Sequence, residues 1–161
     1  MNSMKIVVLS DTHGNQSLAL SILDLHEDAG HVVHLGDELQ DADFLEDATG
    51  KTIIKVQGNC DCSPAHPREA SLELAGRRFL LTHGDAYHVK SGLERLRERA
   101  AAVDAAVVLF GHTHVACVEA IDGILYVNPG CLKRGAGTLT YAVVTMNGDT
   151  VTAEILPAVL P

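Results

Sequence analysis

Lys5-Ile6-Val7-Val8-Leu9-Ser10-Asp11-Thr12-His13-Gly14 is the stretch whose reading decides the fold. Its first half is an uninterrupted apolar run rich in β-branched residues, the pattern of a strand covered on both faces. Its second half switches abruptly to groups that bind cations or turn the chain. The switch recurs along the sequence. Residues 31–35 lead into Gly36-Asp37, and 52–56 lead into Gly58-Asn59-Cys60-Asp61. Residues 78–82 lead into His83-Gly84, and 106–110 into Gly111-His112-Thr113-His114.

Between these strands, Leu18, Ile22, Leu25 and Ala29 repeat at helical spacing, with Asn15 placed as an N-cap and Gly30 as a stop. Residues 71–74 and 78–82 read as a hairpin turning at Gly76, and residues 90–103 as a charged helix. Within it, 94–99 is a solvated face on which Glu94 and Glu98 stand at i, i+4 spacing. Four further strands are predicted over 115–121, 124–127, 139–145 and 151–155, with turns at Asp122-Gly123 and Asn147-Gly148. The order βαβαβ followed by more β predicts an α/β domain over residues 1–161, with two sheets face to face and helices outside.

The 161 residues suit one domain with a core that needs no staples. A net charge of −9 argues against an extended grip on nucleic acid or on anionic membranes. Bound cations would reverse that field locally. Cys60, Cys62, Cys117 and Cys131 form no CxxC pair, Met1–Lys5 shows no leader, and no apolar run is long enough to span a membrane. These features predict a cytoplasmic protein with reduced thiols.

In open α/β sheets, neighbouring strand ends line one crevice. Asp11 and His13 lie two residues apart, as do His112 and His114, so an extended chain would project each pair to one side. Carboxylate, amide and imidazole without thiolate suit Mn²⁺, Fe, Zn²⁺ or Ni²⁺. Seven ligands, namely Asp11, His13, Asp37, Asn59, His83, His112 and His114, are too many for one tetrahedral ion. They suit two ions about 3.5–4 Å apart that share a carboxylate.

Asp-x-His, Gly-Asp, Gly-Asn, His-Gly and Gly-His-Thr-His in this order resemble the calcineurin-like metallophosphoesterase superfamily. The short length and Gly58-Asn59-Cys60-Asp61 resemble its small YfcE-like phosphodiesterase branch. The likeness spans residues 5–128. It implies a four-layer αββα sandwich of two mixed sheets and a pair of divalent metal ions, manganese ranked first. Asp11, His13 and His114 would hold one ion, Asn59, His83 and His112 the other, and Asp37 would bridge them. Asp37, Asn59 and His112 would then be catalytic, with a metal-bridging hydroxide attacking a small phosphate ester in line.

Larger members carry His after Gly-Asn, where this chain has Cys60, so the resemblance leaves the general acid unassigned; His66 and His88 lie in predicted loops. Asp61 is read as orienting a ligand or a loop. Asn128-Pro129-Gly130-Cys131 resembles the family's turn near the site, and Lys133 and Arg134 follow it. His26, His31 and His34 read as structural or exposed. Oligomeric state stays open. The competing expectation is a non-catalytic scaffold, since the retromer subunit has a similar fold; a complete ligand set favours the enzyme.

Overall fold

Strand β1 (Met4–Leu9) occupies the middle of a five-stranded sheet. The computed structural model describes residues 3–160. Met1, Asn2 and Pro161, which the 1–161 domain and the leaderless start include, lie outside the described residues. After β1 come α1 (Gln16–Leu25), β2 (His31–His34), α2 (Leu39–Thr49) and β3 (Ile53–Lys55). Next are β4 (Glu69–Leu74), β5 (Arg77–Thr82), α3 (Glu94–Ala102) and β6 (Val107–Leu109). The chain continues through β7 (Cys117–Ile121), β8 (Ile124–Asn128), β9 (Thr140–Asn147) and β10 (Thr150–Pro157).

The first sheet runs β10-β9-β1-β2-β3 and the second β4-β5-β6-β8-β7. In each, three parallel strands sit beside antiparallel neighbours: β1, β2 and β3 in the first, β5, β6 and β8 in the second. Alternate residues of β1 face different layers. Ile6 and Val8 join Phe79, Leu81, Val107 and Leu109 between the sheets. Val7 and Leu9 pack on Leu18, Ile22, Leu23 and Leu45 of α1 and α2. On the far side, Leu80 and Val108 pack on Leu96 and Ala100 of α3. Both faces of the parallel strands are thus covered, which is why their sequences read as apolar without alternation. This is the expected αββα sandwich.

Helix boundaries depart from the pattern reading. α1 ends at Leu25, not near Gly30, and Leu25 is 71% exposed. Gly30 instead donates its N–H to Lys5 O as the chain enters β2. Asn15 sits at the N-cap position but makes no side-chain cap; its amide donates to Leu132 O, tying the loop after β1 to the loop before β9. α3 begins at Glu94, four residues later than its charges suggest.

The loops after β1 and β2 are held by buried polar contacts. His34, fully buried, accepts Gly36 N–H at Nδ1, so its Nε2 donates to Thr12 Oγ1 at 2.9 Å. Thr12 donates in turn to Asp41 at 2.6 Å, and Asp41 also receives Gly14 N–H. Burial lowers the His34 pKa from 6.5 to about 4, with Asp11 and Asp41 pulling the other way. The loops after β2 and β3 press backbone to backbone: a Cβ on Gly58 would stand 2.2 Å from Asp37 Oδ1 and 2.8 Å from Asp37 N.

Gly58→Ala should cost on the order of 2 kcal/mol and lower Tm by about 4–8 °C; an unchanged melting curve would show that the two loops part freely. An unfolded chain takes up a proton on His34 near 6.5 whereas the fold resists until about 4. Stability therefore falls as pH drops through that window, by on the order of 3 kcal/mol from this group. Denaturant titrations should show a shallower acid slope for His34→Gln; identical slopes would remove His34 as the cause.

Candidate metal centre

Where the two sheets meet, the ends of β1, β2, β5 and β6 bring six of the seven expected ligands together. Donor atoms of Asp11, His13, Asp37 and His114 lie within 4.8 Å of one another, and so do those of Asp37, His83 and His112. Opposite donors around an ion with bonds of about 2.1 Å are about 4 Å apart, so either set needs little adjustment to close on a cation. Asp37 belongs to both sets.

The pairs converge for a different reason than strand pleating. Asp11, His13, Asp37, His112 and His114 all have positive φ, between 43° and 70°. Side chains two apart are aimed by consecutive turns rather than by an extended chain. Each non-glycine residue held this way costs about 1–3 kcal/mol, a strain that accumulates at this one place.

Neighbouring groups fix several of the expected ligands. Ser10 Oγ and His112 N–H donate to Asp11 Oδ2, leaving Oδ1 for His114 Nε2 at 3.1 Å. His83 Nδ1 donates to Leu35 O at 2.8 Å, which turns its other nitrogen towards Asp37 Oδ2 at 3.4 Å and His112 Nδ1 at 3.2 Å. A carbonyl partner of this kind sets the tautomer of a metal-binding imidazole. Burial pushes His83 down, but the bond to Asp37 and the charges of Asp11 and Asp37 outweigh it and hold the ring above its ordinary pKa. Burial likewise opposes ionisation of Asp37, yet His83 and the Cys60 N–H keep that carboxyl well below the usual range. His112 is lowered by burial and then by the charge of His83.

The residues fit a cation. His13 Nε2 is buried with no hydrogen-bond partner, 3.8 Å from both Asp11 Oδ1 and Asp37 Oδ2. An orphaned imidazole nitrogen between two carboxylates is costly unless a cation lies among them.

Asn59 stands apart from these sets. It is exposed on the turn after β3, with its amide donating to Cys60 Sγ at 3.7 Å. Its neighbours are built into the centre: Cys60 N–H donates to Asp37 Oδ1 at 3.0 Å. Asp61 receives four backbone N–H groups, from Asp37, Glu38, Leu39 and Gly58. It orients a loop, one of the two roles that the sequence suggested. Asn128 is fully buried and donates to Gly111 O and Thr113 Oγ1, so it braces the Gly-His-Thr-His loop and is closed to substrate. Arg134 donates to Gly14 O at 3.4 Å beside His13. His88 lines a separate cavity with Ser91 and Arg95. The sequence reading passed over Thr12 and Asp41 and left His34 as structural or exposed, of which the structure shows the first; a histidine closing an apolar run, as in His31-Val32-Val33-His34, was the available signal for burial.

The sequence matches the calcineurin-like phosphoesterase superfamily domain over residues 4–149. It is 32% identical over 155 residues to probable metallophosphoesterase YsnB of Bacillus subtilis, covering 94% of this chain and 89% of that protein. It is 26% identical to phosphodiesterase YfcE of Escherichia coli, covering 94% and 97%. The crystal structure of a predicted phosphoesterase from Streptococcus pneumoniae superposes with a TM-score of 0.83 at 26% identity, covering 98% and 91%. A single mutant of Vps29 from Entamoeba histolytica superposes at a TM-score of 0.75 with 18% identity, covering 96% and 99%, a likeness of fold alone. With nearly its whole length matched and an Asp/His cluster able to hold metal at the junction of its sheets, this chain belongs to the calcineurin-like phosphoesterase superfamily.

Proposed function

We propose that this chain hydrolyses phosphate diesters in the cytoplasm, with two divalent cations, manganese foremost, held in two ligand sets that share Asp37. The observation that carries this reading is the position of Asp37, whose carboxylate lies within reach of both groups of donors. Asp11, His13 and His114 would complete one set, and His83, His112 and Asn59 the other. When bound, the cations supply a water that ionises near neutral pH and positive charge against the phosphate oxygens.

The chain's own residues hold that arrangement rigid. Ser10 is 1% exposed and its hydroxyl donates to Asp11, so it offers no nucleophile and the attacking group is water. His83 donates its Nδ1 proton to Leu35 O, which turns Nε2 towards the centre. Asp61 ties the loops carrying Asp37 and Asn59 into one unit, so displacement of either moves the other. Among the described residues no helix is long and apolar enough to cross a membrane, and all four cysteines are unpaired, which supports an intracellular setting for a small ester substrate.

Purified protein should cleave bis-p-nitrophenyl phosphate with Mn²⁺ and stop on chelation; inactivity across Mn²⁺, Fe²⁺, Ni²⁺ and Zn²⁺ would return the chain to the scaffold reading. Asp37→Ala should lower kcat by on the order of 10³-fold and reduce the metal content measured by elemental analysis. A variant with unaltered rate and loading would remove Asp37 from the bridge. Asp61→Ala removes no metal donor, yet should weaken metal affinity about 10–100-fold in calorimetric titration; wild-type affinity would show that the loops hold without it.

A further inference from the structure

A cavity of about 330 Å³ opens beside the centre, between the start of α2 and the loop after β3. Its wall includes Glu38, which follows Asp37 in the chain, and Cys60, whose N–H binds the Asp37 carboxylate. None of the seven expected metal ligands lines it, so it is room next to the metal site rather than part of it. The volume lies at the small end of ligand pockets and matches one compact alcohol.

Two features of this wall bear on chemistry. It carries Glu38, Asp43 and Asp61 and no lysine or arginine. Asp43 is paired with Lys55 at 2.7 Å, and the four neutral amides on Asp61 leave its charge in place, so Asp61 and Glu38 keep the wall anionic even with a proton on the His66 ring. The wall's single imidazole is His66. Its backbone is strapped to the ligand loop: Gln57 Nε2 donates to His66 O at 2.8 Å, Gln57 N–H donates to Pro67 O at 2.8 Å, and His66 N–H donates to Ser63 O. Gln57 immediately precedes Gly58, so His66 and the Asp37-binding turn are held in one frame.

We propose that this cavity takes the alcohol half of the ester, a neutral or amine-bearing alcohol rather than an anionic one, and that His66 is the acid that protonates it. The proposal rests on the phosphodiesterase reading above. Water oxygen bonds to phosphorus, and the P–O bond to the alcohol breaks with its electron pair on oxygen. That oxygen takes a proton from a ring nitrogen of His66, and the proton lost by the attacking water returns to the ring through solvent. Such proton donation contributes about 10²–10⁴-fold when the leaving group is a poor one. It contributes little for p-nitrophenolate, which departs as a stable anion.

Wild type and His66→Gln are compared at saturating Mn²⁺ on bis-p-nitrophenyl phosphate and on diphenyl phosphate. The expected result is kcat within about twofold on the first ester and lowered about 10²-fold on the second, with imidazole partly restoring His66→Ala on diphenyl phosphate alone. Equal losses on both esters, or none on either, would overturn the role of His66 while leaving the hydrolase reading intact. Failure of wild type to cleave bis-p-nitrophenyl phosphate would instead defeat that reading, and this one with it. For the cavity's sign, KM should be about tenfold lower for a diester with a 4-(aminomethyl)phenyl leaving group than for its 4-carboxyphenyl counterpart. Equal or reversed KM values would overturn the alcohol assignment.

Discussion

The carboxylate of Asp37 sits at the seam of two sheets, and much of the site is arranged to keep it there. One oxygen accepts Cys60 N–H, while the other faces His83 and His13. Its own N–H is clamped by Asp61, which clamps Gly58 as well. Gly58 has no side chain because a Cβ would collide with this carboxylate. A buried charge of this kind is tolerated only when surrounded by donors or cations, and here the chain supplies both amides and imidazoles.

The layers were legible because the parallel strands are short, apolar and free of alternation, a pattern that only coverage on both faces explains. Five of these strand ends carry candidate ligands, and the order of those residues was specific. What the sequence could not carry was the local means of aiming them. Spacing suggested that Asp11 and His13 share a strand face, whereas both residues adopt left-handed backbone. Pattern reading also failed where tertiary contacts replaced local capping. Asn15 spends its amide on Leu132, far along the chain, and α1 stops well before its glycine. The His34–Thr12–Asp41 relay had no signature beyond a histidine at the end of an apolar run, since long-range hydrogen bonds leave no periodicity.

Two kinds of support hold the centre in place. Backbone strain at the ligands themselves is offset by the packing of parallel strands on either side of the shared core. Buried side chains that never touch a substrate, such as Asn128 and Asp41, fix the loops from behind. The chemistry is thus set on short loops, but loops with little freedom.

The pairing order of the first sheet has a consequence for how the molecule assembles. Met4 lies opposite Met146, so β1 finds one neighbour near the other end of the described chain. The second sheet draws all its strands from the contiguous segment 69–128. Contacts this remote are slow to form. A refolding chain can therefore build the half bearing His83, His112 and His114 early, while the half bearing Asp11 waits for the most distant strand to arrive. Capture of ions would mark the closing of the topology rather than its beginning.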